Sequence, residues 1–498
     1  MAEKQLQSLA KDTAIYGTSS ILGKFLNWLL VPMYTYVLTE SADYGQVANL
    51  YAWSALLLVI MTYGMETGFF RFANKNKEAA EKVYGNTLLA VGFTSLVFAL
   101  LTLSFASPIA SAIGYEQHPE YIAMLGVIIA MDAFGSIPFA WLRFSNRPLK
   151  FASLKLMMII TNIAFNLFFL VVCPWIEATS PELISWFYRP DYGVGYVLVA
   201  NVIQTVVVTL ALIPEIRKAK FSFDSVLLKR ILGYSLPLMI LGIAGIMNQT
   251  LDKIIFPYLM EDKELAISEL GIYSACFKIS MVMMMFTQAF RYAYEPFIFA
   301  QHKNKNSYAA YADAMKYFVI FSWIIFLGIV FYLDIIQYLV RSDYRVGLRI
   351  IPIVLLSYIF QGVFFNLSLW YKLTDKTHYG AWISIIGTII TLAINVIFVP
   401  IFSYMASAWA SFACYLVMMI LSYFLGQKYM PVNYNLKKLG YYSFLAMTLF
   451  SISILIKTPY LALNIALKTI LLSFFIVVVI KKDFPLRRIP YLSRFFKS

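Results

Sequence analysis

The sequence predicts an all-α polytopic membrane protein of about fourteen transmembrane helices, in two six-helix bundles followed by a C-terminal helix pair. Three observations carry this. The 498 residues are 61% hydrophobic and only 13% charged, with a mean hydropathy of +0.72, whereas a water-soluble domain is about half apolar and about a quarter charged. The apolar residues fall in repeated stretches of roughly 20, the length that crosses a hydrocarbon core about 30 Å thick. Lysine and arginine collect in alternate connections between those stretches, the asymmetry that orients a polytopic chain.

Glycine, proline and charge clusters punctuate the chain. In the first half they leave spans at Thr13–Val37, Gly45–Phe70, Tyr84–Phe105, Tyr121–Trp141, Phe151–Cys173 and Gly193–Ile213, a bundle over residues 1–213. The basic stretch PEIRKAKFSFDSVLLKR, residues 214–230, reads as a linker. The second bundle, residues 231–425, has spans at Ile231–Leu259, Ser268–Phe290, Tyr317–Leu333, Val346–Tyr371, Tyr379–Val399 and Tyr404–Leu425. Leu439–Ile456 and Leu461–Ile480 form the extra pair within residues 426–480, and residues 481–498 are a basic tail. The opening MAEKQLQSLAKD is polar and leads straight into the first span. It lacks the short apolar core and small-residue cleavage site of a signal peptide, so none is expected.

An even number of spans puts both termini on one side. The connections on that side, RFANKNK, RFSNRPLK, IRKAK and HKNKN, are basic, as is the tail. The opposite ones, such as TESADY, ASPIASAIGYEQHPE and WIEATSPELISWFYRPD, hold almost no positive charge. Both termini are therefore expected in the cytoplasm. VRSDYRVGLR, residues 340–349, disagrees, because it falls outside yet carries Arg341, Arg345 and Arg349. The net charge of +14 is accounted for by cytoplasmic connections facing anionic membrane lipids, without a nucleic-acid partner.

Cys173, Cys276 and Cys414 lie in or beside apolar runs, and His118, His302 and His378 in three separate connections. No metal site and no cofactor are expected. A membrane enzyme acting on lipid-linked sugars needs a sizeable outer loop, and the longest outer connection, Trp175–Asp191, is short. No Gly-rich nucleotide loop or metal-spaced Asp pair is present, so the chain does not read as an enzyme.

An ionisable side chain at mid-bilayer costs about 2.5 to 3.5 kcal/mol on insertion scales, so each one within a span faces a partner or a wet cavity. Lys24 and Asp132 both fall about 15 Å from the cytoplasmic surface, where they can pair. Glu66 lies about one turn inside that surface, level with Arg71 and Arg143. It is either a proton-binding group at the rim of a cavity or a structural counter-ion of an arginine. Lys155, Asn162 and Asn166 share one helix face, as a stripe facing a lumen or as helix-to-helix hydrogen bonds. In the second half, Asn248 and Asp252 share a face with Lys253 beside them, and Lys278 follows on the next helix. Asp252 and Lys253 form either an ion-coupling site or an outer ion pair, and Arg291 with Glu295 mirrors Arg71 with Glu66. Positive groups suit a pyrophosphate, while aromatic rings and amides such as Asn27, Asn162 and Asn166 suit a sugar.

The two halves repeat an order of features. FLNWLLVPMYTYVLTESADYGQ leads to GFFRF, and MNQTLDKIIFPYLMEDKELAISELGIYS leads to QAFRYAYEPF, with Pro32 opposite Pro257 and Phe70-Arg71 opposite Phe290-Arg291. Parallel repeats of this kind place a substrate between halves that rock against each other. TAIYGTSSILGKFLNWLLVPMYTYVLTESADYGQ resembles the opening of the polysaccharide transporter family, the oligosaccharide-lipid flippases of the multidrug, oligosaccharidyl-lipid and polysaccharide exporter superfamily. YGMETGFFRF is similar to the end of that family's second helix, and LDKIIFPYLM with LGIYSACFKIS to its central Asp, outer turn and Gly-Tyr-Ser helix start. The resemblance covers nearly the whole chain. It implies a flippase that carries a polyprenyl-pyrophosphate-linked oligosaccharide across a bacterial inner membrane for surface polysaccharide such as lipopolysaccharide, with polysaccharide assembly proteins as partners. On that reading Lys24, Asn27, Arg71, Lys155, Asn162, Asn166, Lys278 and Arg291 line the substrate path. Glu66, Asp132, Asp252 and Lys253 couple an ion or pair with each other. The extra helix pair widens a lipid groove or is packing. A peptidoglycan-precursor flippase and a cation-coupled drug exporter of the same superfamily are the alternatives.

Overall fold

The computed structural model describes residues 17, 21–75, 77–301, 307–456 and 458–483, with the backbone alone for 295–301 and 307. The polar opening, the start of the first expected span, Asn76, His302, the Glu295 side chain and the tail beyond 483 lie outside the described residues. Among the described residues every regular element is helical, and thirteen helices are long and apolar enough to cross a membrane. The fold is the polytopic all-α class that the sequence predicts. Of the first expected span, residues 21–28 are helical and continue after a turn at Leu29 into α1, Leu30–Val37.

The second expected span is broken. α2, Ser41–Thr62, is followed by Tyr63 and Gly64 in the left-handed region, at φ 30° and 72°, before α3, Met65–Lys75. The Ser235 carbonyl oxygen sits 2.5 Å from where a Cβ on Gly64 would lie, so only glycine fits both the turn and the contact. α4, Ala80–Ser104, and α5, Pro119–Phe144, follow. α6, Pro148–Leu167, runs on through a π turn at Phe168–Val172 to a last helical stretch, Cys173–Thr179. α7, Gly193–Ile216, and α8, Ser225–Ile255, flank the linker. The remainder are α9, Lys263–Gln301; α10, Ser307–Phe331; α11, Ile351–Leu367; α12, Thr377–Phe402; α13, Tyr404–Tyr429; α14, Leu436–Leu455; and α15, Leu461–Asp483.

The described residues form two compact units, one running to Ala275 with Ser384–Ala410 added, the other made of Cys276–Ile383 and the residues from Ser411 onward. At the basic end of the first unit, Phe69, Tyr84 and Trp141 form a buried aromatic core, with Tyr84 and Trp141 stacked at 4.7 Å. The linker is fastened beside it. Lys220 pairs with Glu81 at 2.7 Å and Lys82 with Asp224 at 3.2 Å, and the Asn86 amide donates to the Asp224 carbonyl at 2.8 Å. At the opposite end of this unit α2 and α9 touch backbone to backbone. A Cβ on Gly45 would strike the Ile267 carbonyl oxygen, and one on Gly271 that of Ser41, while the Ser41 and Ser268 hydroxyls are 2.6 Å apart.

In the second unit Trp370 and Tyr429 stack at 5.5 Å within a cluster that buries Tyr311, Met430 and Val432. The extra pair, α14 and α15, is bound to α10 at one end and to the residues just after α10 at the other. Asp483, only 2% exposed, accepts from Lys438 at 2.5 Å and faces Lys316 at 3.4 Å. At the far end Lys468 pairs with Asp334 at 2.6 Å, and Tyr332 and Thr469 share a hydrogen bond of 2.9 Å.

Candidate functional site

The break at Gly64 decides the geometry of the charged cluster in the first unit. It restarts the helix at Met65, so Glu66 occupies the first turn of α3, where the unpaired N–H groups favour a negative charge. Arg143 occupies the last turn of α5, where the carbonyls favour a positive one. The two side chains form an ion pair, each about two-fifths exposed. The Arg143 guanidinium also lies over the Phe70 ring at 4.8 Å.

Lys155 lies about 10 Å along α6 from its basic end, and Asp132 about 18 Å along α5. Both are half-buried. Asp132 accepts from the Thr205 hydroxyl at 3.4 Å, which in turn accepts from the Gln204 amide at 3.3 Å. Lys155 is attracted by Asp132 and Glu66 and repelled by Arg143, so the four charges form one electrostatic group. Its ammonium rests over the Phe139 ring at 4.1 Å. Arg71, exposed at the basic end, is placed in the same way, over the Tyr234 ring at 4.0 Å. A cation on a ring face is oriented without spending its N–H donors. Arg71 and Lys155 therefore keep theirs for a charged oxygen.

Asn162 and Asn166 share the α6 face of Lys155 but do something else. They are buried, 5% and 0% exposed, and they bond between helices. Tyr34 donates to Asn166 Oδ1 at 2.9 Å, and Asn166 Nδ2 to the Asn162 carbonyl at 2.8 Å. Tyr34 is also bonded to Tyr51, which accepts from Asn201 at 2.6 Å. This polar chain ties α1, α2, α6 and α7 together, whereas Lys155 on that face is half-buried. Lys24 and Asn27 are exposed on the helical stretch before α1. Neighbouring Gly23 packs on α6, its Cβ position 2.7 Å from the Ile159 side chain.

Asp252 and Lys253 stand at the opposite end of the first unit. Asp252, 3% exposed, accepts from the Tyr273 hydroxyl at 2.6 Å and from Lys253 Nζ at 3.1 Å. Asn49 donates to the Lys253 carbonyl at 2.7 Å. These contacts join α8 to α2 and α9. Lys278 and Arg291 belong to the second unit. Both are half-buried, and Arg291 lies over the Phe365 ring at 4.6 Å.

Sequence reasoning missed Glu215. Its side chain is fully buried at the end of α7, with Lys150 at 2.5 Å, Lys218 at 2.6 Å and Arg147 at 3.6 Å. The three-residue spacing of Glu215 and Lys218 is the available signal, but a cytoplasmic connection rich in cations is already explained by membrane orientation. The ring partners Phe139 and Tyr234 carried no signal, because 17% of the chain is aromatic. Among the described residues no group of His, Cys, Asp and Glu could hold a metal ion.

The sequence profile described as polysaccharide biosynthesis protein matches residues 9–300, and the one described as MatE matches residues 263–397. No curated protein matches the sequence. Among solved structures the chain is similar to the lipid II flippase MurJ in an inward closed conformation, with a TM-score of 0.74 at 13% identity over 94% of this chain and 98% of that one. It is similar to an inward-facing multidrug resistance MATE family transporter of the MOP superfamily, with a TM-score of 0.63 at 13% identity over 81% and 94%. For a MOP superfamily transporter from Pyrococcus furiosus Vc1 the TM-score is 0.58 at 12% identity over 86% and 99%. At such identities the likeness is one of fold.

Proposed function

The chain belongs to the polysaccharide biosynthesis protein family, and from that membership we propose that it is a flippase. It moves a polyprenyl-pyrophosphate-linked oligosaccharide from the cytoplasmic to the outer leaflet of a bacterial inner membrane by alternating access, for surface polysaccharide such as lipopolysaccharide. The two six-helix halves, residues 1–213 and 231–425, are the moving parts, joined by the linker 214–230. Both termini are cytoplasmic, so the basic end of the first unit faces the leaflet where the lipid-linked sugar is made.

The observation that carries this reading is the placement of Arg71 and Lys155. Each cation is fixed over a ring, at 4.0 and 4.1 Å, and among the described residues neither is hydrogen-bonded to a carboxylate. Such donors match the oxygens of a pyrophosphate, whereas a cavity for a cationic drug needs net negative charge. Lys24 and Asn27, and by their charge Lys278 and Arg291, are the further residues we assign to the substrate. Asp132 holds Lys155 electrostatically. Asn162 and Asn166 act by fixing α6 against α1. The Asp252–Lys253 pair braces the outer end.

The test is direct. In a strain dependent on this protein, Arg71→Ala and Lys155→Ala should each lower export at least about tenfold, the scale of one lost charge-assisted hydrogen bond, at unchanged abundance. An undecaprenyl-linked oligosaccharide should then accumulate in the inner leaflet. Wild-type export in both variants would remove the cationic site. A second reading, a peptidoglycan-precursor flippase, is favoured by the TM-score of 0.74 with the lipid II flippase. The identity of the lipid that accumulates separates the two.

A further inference from the structure

We propose that the connection between α13 and α14 forms a binding site for an anionic sugar, such as a hexose phosphate or a lipid headgroup of that chemistry. The site lies in the second unit and stands without the flippase reading. A cavity of about 640 Å³ opens there, lined by Tyr423, Gln427, Asn433, Tyr434, Asn435 and Lys437 among others. That volume is within the roughly 300–1,000 Å³ of small-molecule sites.

The wall of the cavity is built rather than loose. Met430 and Val432 are buried in the aromatic cluster around Trp370, and the Gln427 amide donates to the Val432 carbonyl at 2.8 Å. With every second residue anchored, Pro431, Asn433 and Asn435 are turned to the exposed side. Asn435 then caps α14, its Oδ1 accepting from the Lys438 amide at 3.0 Å, which leaves its Nδ2 as a donor. Lys438 is spent on Asp483 at 2.5 Å, whereas Lys437, one residue earlier, is exposed and makes no ion pair among the described residues. Tyr423 and Tyr434 lie with ring centroids 6.3 Å apart. Burial pushes the Tyr434 phenol above its ordinary range, so it remains a proton donor at any physiological pH.

The chemistry selects the ligand. Asn433 offers an amide with both donor and acceptor, Asn435 a donor, Gln427 an acceptor and Lys437 a cation, and none of the lining residues is acidic. Amides of this kind match adjacent hydroxyls, phenol rings cover the apolar face of a pyranose, and the ammonium meets one negative charge. A purely apolar ligand would strand the amides, at about 1 to 3 kcal/mol for each polar group left unsatisfied. The same chemistry is offered by a free sugar phosphate and by a sugar-phosphate headgroup in the adjoining leaflet.

The experiment titrates the purified full chain in detergent with glucose 1-phosphate, glucose and inorganic phosphate, followed by saturation-transfer NMR. Glucose 1-phosphate should bind in the millimolar range, about tenfold more tightly than either component alone. Combining Asn433→Ala with Lys437→Ala, both exposed positions, should weaken it about tenfold with an unchanged melting temperature. In nanodiscs containing phosphatidylinositol, loss of glucose 1-phosphate binding identifies a headgroup as the ligand, and retained binding identifies a soluble one. Either result supports the site. Absence of glucose 1-phosphate binding, equal binding of phosphate alone, or equal binding by the double variant would overturn it.

Discussion

Glu66 shows how much one residue's setting decides. A carboxylate in the middle of an unbroken span would have to reach a wet cavity, but Tyr63 and Gly64 end the helix just before it. Glu66 therefore sits at a helix start and Arg143 at a helix end, and each terminus favours the charge it holds. Because both side chains are about two-fifths exposed, the pair belongs with surface ion pairs, worth at most about 1 kcal/mol. Glu66→Gln should lower abundance less than about twofold, and adding Arg143→Gln should restore it. Quantitative immunoblotting of membrane fractions checks this. A Glu66→Gln protein of normal abundance whose transport no longer answers an imposed proton gradient would make Glu66 a coupling group instead. Glu215 is the contrasting case, a fully buried carboxylate among three cations. Neutralising it removes the common partner of all three cations at once, whereas Lys218→Ala or Arg147→Ala alone leaves two partners in place. Glu215→Gln should thus lower the melting temperature well beyond either single cation variant, and equal shifts would contradict the hub.

At the scale of the elements, span positions were legible in the sequence because lipid demands about 20 apolar residues whatever their identity. The expected Phe151–Cys173 and Tyr404–Leu425 fall inside helical stretches at Pro148–Thr179 and Tyr404–Tyr429. The break in the second span was not legible, because Gly64 is singled out by the approach of Ser235 from α8, a contact remote in sequence. The level of Glu66 and Arg143 could be counted from helix rise. The cluster's ring partners could not, since only packing distinguishes Phe139 and Tyr234 from other aromatic residues. The linker carried a compositional signal, its basic charge, but not its attachment to α4. That attachment has a pH dependence. The Leu227 amide, at 2.9 Å, and then Lys82 hold the Asp224 carboxyl below its ordinary value. A group depressed on folding contributes stability above its unfolded value, near 3.9, and loses it as pH falls through the folded value. The start of α8 should therefore stay capped at neutral pH and loosen only in acid below about pH 4. Amide exchange is the measurement: Asp224→Ala should speed exchange at the first turn of α8 at pH 7, and unchanged protection there would rule out the cap.

For the whole molecule, the proposed transport by alternating access would require a contact that closes and opens, and the meeting of α2 with α9 has the features of one, at the end expected to face outward. Gly45 and Gly271 bring two backbones together without side chains between them, Ser41 and Ser268 bond at 2.6 Å, and Asp252 with Tyr273 braces the next turn at 2.6 Å. The serine hydroxyls are near enough for cysteines there to meet the Cβ separation of a disulfide, about 3.5 to 4.5 Å. The three native cysteines are all buried and give little background. In the Ser41→Cys, Ser268→Cys protein an oxidant should form the crosslink within one chain and stop export, and a reductant should restore it, while either single variant exports normally. Orientation is checked in the same cells: a cysteine at Ser180 should react with an impermeant reagent and one at Lys220 should not. If the crosslinked protein exports at the wild-type rate, α2 and α9 are a permanent seam and the moving contact lies elsewhere. If Lys220→Cys labels from outside while Ser180→Cys is shielded, the contact is on the cytoplasmic side and the direction of transport reverses with it.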